Sequence, residues 1–167
     1  MMSKVLIVMG SDSDWGKMKD CVVTLKDLGI TPEVKICSAH RTPEQAAKLS
    51  KNAKDNGFSA IIAAAGLAAH LPGVMAAFTT LPVIGVPISA GSLAGQDALY
   101  SIAQMPPGVP VATVAIDGSK NAAILAGQII AGFDNKVAVK LTLLKEEMQD
   151  KVKIKQEKLD KILEEEL

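Results

Sequence analysis

Between Asp55 and Asp117 the chain carries a single formally charged residue, Asp97. A small domain normally exposes charge along any stretch of that length, so this block has to be covered on more than one side. Its counterpart lies downstream, where Asp134 to Glu166 holds 17 of the 36 charged side chains. A membrane segment does not explain the neutral block. Gly66, Pro72, Gly73, Pro82, Gly85, Pro87, Gly91 and Gly95 interrupt it, and a spanning helix needs roughly 18 or more consecutive apolar residues. A soluble domain with an apolar centre is expected instead. No basic stretch leads into an apolar one at the start, so the expected location is the cytoplasm. The 167 residues suit one domain, and an apolar fraction of 49% argues against intrinsic disorder.

Charge also limits the partners. Lysine and arginine balance aspartate and glutamate at 18 each, and Arg41 is the only arginine. A duplex-DNA binder needs a basic footprint, and a single-strand binder needs stacking rings, whereas aromatics make up 3% here. Neither nucleic acid nor a membrane is therefore expected as a partner. Cys21 and Cys37 form no C-x-x-C or Cys/His spacing, so neither a zinc site nor a disulfide scaffold is indicated.

Strand and helix patterns alternate. Lys4–Met9 is a β-branched apolar run. Trp15, Met18, Val22 and Leu25 then recur at helical spacing until Gly29. Thr31–Cys37 reads as a second strand, and a helix follows from Pro43 to about Asn56, with Thr42 as N-cap. Ala60–Ala65, Pro82–Pro87 and Val111–Ile116 read as further strands. Helices are expected near Pro72–Thr79, Gly95–Gln104 and Asn121–Phe133, the last with Ile124, Leu125, Gln128 and Ile129 along one side. This alternation is the signature of a doubly wound α/β fold with a central parallel sheet, in which ligands bind beyond the carboxyl ends of the strands. Residues 1–134 form the α/β catalytic domain on this reading. Residues 135–167 form a C-terminal amphipathic helix, with Val137, Leu141, Leu144, Met148 and Val152 on one face. That helix packs either on its own domain or on a neighbouring subunit, and Glu164–Glu166 is expected to fray.

The loops after the strands hold the chemistry. Gly10-Ser11-Asp12-Ser13-Asp14 offers hydroxyls and free N–H groups at a helix start, a ready anion site. Ser11 and Ser13 would face a phosphate while Asp14 accepts from ribose hydroxyls, although a simple helix cap also explains these residues. Ser38-Ala39-His40-Arg41 brings a general acid–base candidate next to the one guanidinium, whose planar fork suits phosphate or carboxylate. A hydrogen-bonded loop histidine is the alternative for His40. His70 stands in a loop of small apolar residues, as a buried structural histidine or as part of a site. Asp97, alone in apolar surroundings at a helix start, is expected to cap it, with a substrate contact as the alternative.

Taken in series, four motifs are specific. Met9-Gly10-Ser11-Asp12-Ser13-Asp14-Trp15, Ser38-Ala39-His40-Arg41-Thr42-Pro43, Ala68-Ala69-His70-Leu71-Pro72-Gly73 and Ser101-Ile102-Ala103-Gln104-Met105-Pro106 closely resemble the class I PurE family. Its members are N5-carboxyaminoimidazole ribonucleotide mutases of purine biosynthesis. The resemblance runs from about Lys4 to Phe133. It implies a flavodoxin-like three-layer sandwich assembled as a homo-octamer, with active sites near subunit contacts. It also implies a ribonucleotide substrate, CO2 as a transient intermediate, and no metal, biotin or nucleotide triphosphate. By position, Ser11, Asp14 and Arg41 match the family's nucleotide-binding residues, with Ser13 and Ser38 in the same loops. His40 matches its catalytic histidine and His70 its second active-site histidine.

Three departures stand out. Where the family usually reads Gly-Ala-Gly-Gly, this chain has Ala64-Ala65-Gly66-Leu67, and Leu67 is expected to narrow the carboxylate pocket. Ser89–Gly95 differs from the common Gln-Ser form, and Asp117–Lys120 is about two residues shorter. Two other readings remain open at this level. One is a class II aminoimidazole ribonucleotide carboxylase using free CO2. The other is a flavodoxin-like binding or signalling module, which would show a bound flavin or a phosphoacceptor aspartate cluster.

Overall fold

The strands at the centre of the neutral block are buried on both faces, whereas the loops and helices between them are partly exposed. A computed structural model of the protein describes residues 3–166, and in it every side chain of Ala60–Ala65 and Val83–Ile88 is buried. These residues belong to β3 (Phe58–Gly66) and β4 (Val83–Ile88), which pair in parallel at the middle of a five-stranded sheet. The other strands are β1 (Lys4–Met9), β2 (Thr31–Ile36) and β5 (Ala112–Thr113), and the order is β2-β1-β3-β4-β5. That order is the flavodoxin-like one. Parallel strands covered by helices on both faces read as continuous apolar runs, which is what Ala60–Ala65 is.

Side chains alternate between two cores. Val5, Ile7 and Met9 of β1, with Ile62 and Ile84, face α1 (Trp15–Asp27) and α5 (Ser119–Ala131). Leu6 and Val8, with Ile61 and Val83, face α2 (Pro43–Asn52), α3 (Leu71–Ala77) and α4 (Gln96–Ala103). Each fully buried Leu or Ile in these layers stabilises the fold by about 1.5–3 kcal/mol.

Several expectations need correction. The fifth strand is two residues long rather than Val111–Ile116, because the chain leaves the sheet once Val114 has donated its N–H to Gly85. Helix α5 buries Ala122, Ala123, Ala126, Gly127 and Ile130, whereas Gln128 is exposed and Ile124, Leu125 and Ile129 are half-buried. The small face wins because the contact is close: a methyl group on Gly127 would lie 2.8 Å from Leu28 Cδ1. Asp97 is not the N-cap of α4. Gly95 takes that position, and Asp97 accepts from the N–H of Ala98 inside the first turn.

The last helix, α6 (Asn135–Glu166), runs 32 residues. At 1.5 Å per residue it is about 48 Å long. Its amphipathic stripe divides. Val137 is buried and Leu141 and Leu144 are half-buried where the helix packs on α5. Met148 and Val152 lie exposed, as do Ile154, Leu159, Ile162 and Leu163 beyond them.

Candidate active site

Four loops meet at the carboxyl ends of β1, β2, β3 and β4, and each has a local reason for its shape. After β1, the N–H of Gly10 donates to the Ala64 carbonyl at 3.1 Å, tying the first loop to β3. Asp12–Asp14 form a 3-10 turn closed by a reciprocal cap. Ser13 N–H donates to Ser11 Oγ at 3.3 Å, and Ser11 N–H donates to Asp14 Oδ2 at 3.2 Å. The cap is thus built from the residues expected to bind an anion. Asp14 is 8% exposed. Burial pushes its carboxyl above the ordinary range, opposed by the bonds from Ser11 and Ser13 and by the Lys17 ammonium.

After β2 the chain folds back on Ser38. Thr42 occupies the N-cap position of α2, with Pro43 in the first turn, but its hydroxyl does not cap the helix. Thr42 Oγ1 instead accepts from Ser38 N–H at 3.1 Å and donates to the Ser38 carbonyl at 2.9 Å. Ser38 Oγ in turn accepts from the Arg41 N–H at 3.3 Å. This closed turn projects His40 and Arg41 outward, and both are exposed. Among the described residues Arg41 has no ion-pair partner.

After β3, Leu67 adopts φ +53°, a left-handed conformation that glycine reaches freely and leucine does not. The backbone therefore keeps a glycine-like path although the side chain is large. His70 follows at the start of α3 and is exposed rather than buried. Its Nδ1 lies 2.5 Å from His40 Nε2, with the rings edge to face at 87°. One nitrogen of this contact donates and the other accepts, as the tautomers of the two rings set.

The loops enclose a cleft of about 420 Å³, lined among others by Gly66, Leu67, Ala68 and Ala90. All seven residues singled out in the sequence, Ser11, Ser13, Asp14, Ser38, Arg41, His40 and His70, line it too. A cleft of this size suits a mononucleotide-sized ligand. It offers hydroxyls, a guanidinium without an ion-pair partner among the described residues, one buried carboxyl and a hydrogen-bonded histidine pair beside an apolar wall. One neighbouring cluster has no signature in the sequence. Lys17, Ser89 and Asp117 meet beside this cleft, 72 and 28 positions apart in pairs. Such separations leave no local signal.

A 2-1-3-4-5 parallel sheet with this cleft at its switch point places the chain in the flavodoxin-like α/β class. Comparison with known proteins narrows the class. The chain belongs to the AIR carboxylase family, whose sequence profile matches residues 4–151. It is 52% identical over 148 residues to the N5-carboxyaminoimidazole ribonucleotide mutase of Pyrococcus abyssi, covering 89% of this chain and 85% of that one. It is 50% identical over 161 residues to the protein of the same name from Thermotoga maritima, covering 96% and 94%. The crystal structure of Treponema denticola PurE superposes with a TM-score of 0.86 at 32% identity, covering 94% of this chain and 98% of that one.

Proposed function

We propose that this protein is an N5-carboxyaminoimidazole ribonucleotide mutase of purine biosynthesis. The observation that carries the reading is the His40–His70 pair, 2.5 Å apart in a cleft that also holds Arg41 and Asp14. The reaction moves a carboxylate from the exocyclic nitrogen of the aminoimidazole to ring carbon C4. His40 protonates the nitrogen as the N–C bond breaks, and its electron pair stays on nitrogen while CO2 departs. C4 then attacks the CO2 carbon, and His40 takes back the C4 proton to restore the aromatic ring. One proton is lent and one returned, so a single site balances the sequence. His70, bonded to His40, holds the imidazole in the orientation and tautomer that each step requires.

The remaining residues divide by charge. Arg41, Ser11 and Ser13 take the phosphate, where a free guanidinium and a helix start both favour an anion. Asp14 accepts from the ribose hydroxyls, and Ser38 shapes the turn beneath His40. The apolar wall of Gly66, Leu67, Ala68 and Ala90 excludes water and retains CO2 between the two half-reactions. The reading includes a cytoplasmic homo-octamer, as the family resemblance implies. The exposed apolar face of α6 from Met148 onward supports assembly with further copies.

Activity without ATP or metal tests the reading. The His40→Asn variant should bind the ribonucleotide and lose the isomerisation by a factor of about 10²–10⁴, the usual contribution of a general acid–base group. Normal turnover by that variant removes His40 from its role. A carboxylase reading attaches to the family's name. It predicts efficient carboxylation of aminoimidazole ribonucleotide by CO2 at low bicarbonate, and that result would replace the mutase.

A further inference from the structure

Among the described residues three that are not glycine adopt a positive φ: Leu67 at +53°, Ala94 at +50° and Asp117 at +56°. All three bear on one segment, the loop from Ser89 to Gly95 between β4 and α4. Ala94 lies within it. Leu67 lies across Gly91, where a methyl group would come within 2.7 Å of Leu67 Cδ2. Asp117 accepts from Ser89 N–H at 2.8 Å and from Ser89 Oγ at 2.5 Å, while its own N–H donates to the Pro87 carbonyl at 2.8 Å. A left-handed backbone costs a residue with a side chain about 1–2 kcal/mol. Such strain persists only where the surroundings over-determine it. Here it is spent on a loop whose Ala90 forms part of the cleft wall.

Lys17 closes the arrangement from the opposite side. It sits on α1, one turn beyond Asp14, and its ammonium lies 3.2 Å from Asp117 Oδ2. The same ammonium donates to the Ser89 carbonyl and to Ser89 Oγ. Ser119 Oγ donates to the Lys17 carbonyl at 2.5 Å, anchoring the start of α5 to the same turn. Burial pushes the Asp117 carboxyl up, but the Ser89 bonds and Lys17 together hold it below the ordinary range, so the clamp is an ion pair at neutral pH. Two of the departures noted in the sequence, at Ser89–Gly95 and at Asp117–Lys120, are thus in contact with each other. Lys17 joins them.

We propose that Lys17 is a positioning residue for substrate binding, which fixes the Ser89–Gly95 loop relative to Asp14 and so sets the width of the cleft. Proton transfer stays with His40 and His70, which Lys17 does not touch. The inference rests on the mutase reading for its assay.

Steady-state kinetics of the assembled wild type, Lys17→Met and Lys17→Arg test it. Lys17→Met should raise KM for the N5-carboxy substrate by about tenfold, equivalent to ~1.4 kcal/mol, with kcat within about twofold. Lys17→Arg, which retains a cation able to reach both Ser89 and Asp117, should recover most of that loss. A merely structural role lowers the folded fraction, so kcat falls at unchanged KM. That pattern, or an unchanged KM, overturns the proposal. If the wild type fails to convert the substrate, the mutase reading falls. Calorimetric binding of aminoimidazole ribonucleotide then judges Lys17 independently: a roughly tenfold weaker Kd in Lys17→Met upholds it, and an equal Kd overturns it.

Discussion

Gly85, in the centre of β4, is where the sheet leaves no room for a side chain. A methyl group there would lie 2.3 Å from Ile102 Cγ2, 3.0 Å from Val111 Cγ1 and 3.4 Å from Pro72 Cβ. The Ile102 side chain is fully buried in the layer formed by α3 and α4, so it has no open space to enter. For Gly85→Ala, ordinary van der Waals contact would require Ile102 or the backbone of β4 to move by more than about 1 Å, an overpacking that costs about 1–3 kcal/mol. Loss of glycine's freedom in the unfolded chain offsets about 0.4–1 kcal/mol. The net expectation is a destabilisation of about 1–2 kcal/mol, or a Tm lower by about 2–8 °C for a chain of this size. Thermal unfolding at matched protein concentration measures it. The second arm is Ile102→Leu, which removes the Cγ2 branch. The double variant should recover at least half of the loss, giving a coupling energy of the kind seen between residues in contact. An unchanged Tm for Gly85→Ala, or additive effects in the double variant, would refute the steric reasoning.

Asp14 should show opposite demands of stability and binding. Its carboxyl is raised by burial, so ionised Asp14 costs stability as pH rises through its folded pKa, and the cost disappears below the ordinary value near 3.9. Asp14→Asn should therefore match or exceed the wild-type Tm at neutral pH, with the difference fading in acid, while ribonucleotide affinity falls by about 10- to 150-fold, as for loss of a hydrogen bond to a charged group. A Tm difference that grows in acid would reverse the sign. On α6, Met148→Glu with Val152→Glu places charge on exposed apolar positions, and light scattering should report a smaller assembly with the domain's near-ultraviolet circular dichroism retained. An unchanged mass would remove this face from the contact.

The parts legible in the sequence were those with short-range causes. β1 ends where the apolar run Lys4–Met9 meets Gly10, and α2 begins at Pro43, because each boundary is written in one or two residues. His40, Arg41 and the Ser11–Asp14 loop stand out because they are polar groups directly following apolar strands. Where the reading failed, a partner distant in sequence decides. Thr42 spends its hydroxyl on Ser38 rather than on the helix. The buried face of α5 follows from how closely Leu28 and Leu141 approach Gly127, not from its larger apolar residues. The Lys17–Ser89–Asp117 clamp joins α1, the end of β4 and the turn before α5, and no local pattern announces it.

The division between uncharged central strands and a charge-rich last helix also has a consequence for biogenesis. The chain is made from its amino end, and β1 cannot gain its second neighbour until β3 has emerged. β3 and β4 then appear without a charged gatekeeper between Asp55 and Asp97, while parallel pairing is intrinsically slow. Segments of that composition aggregate when left open. The 32 residues of α6, which carry most of the later charge, follow only afterwards. The nascent chain is thus most vulnerable at mid-length, and truncation before α6 removes 16 of the 36 charged side chains, all of the dense charge that follows the neutral block.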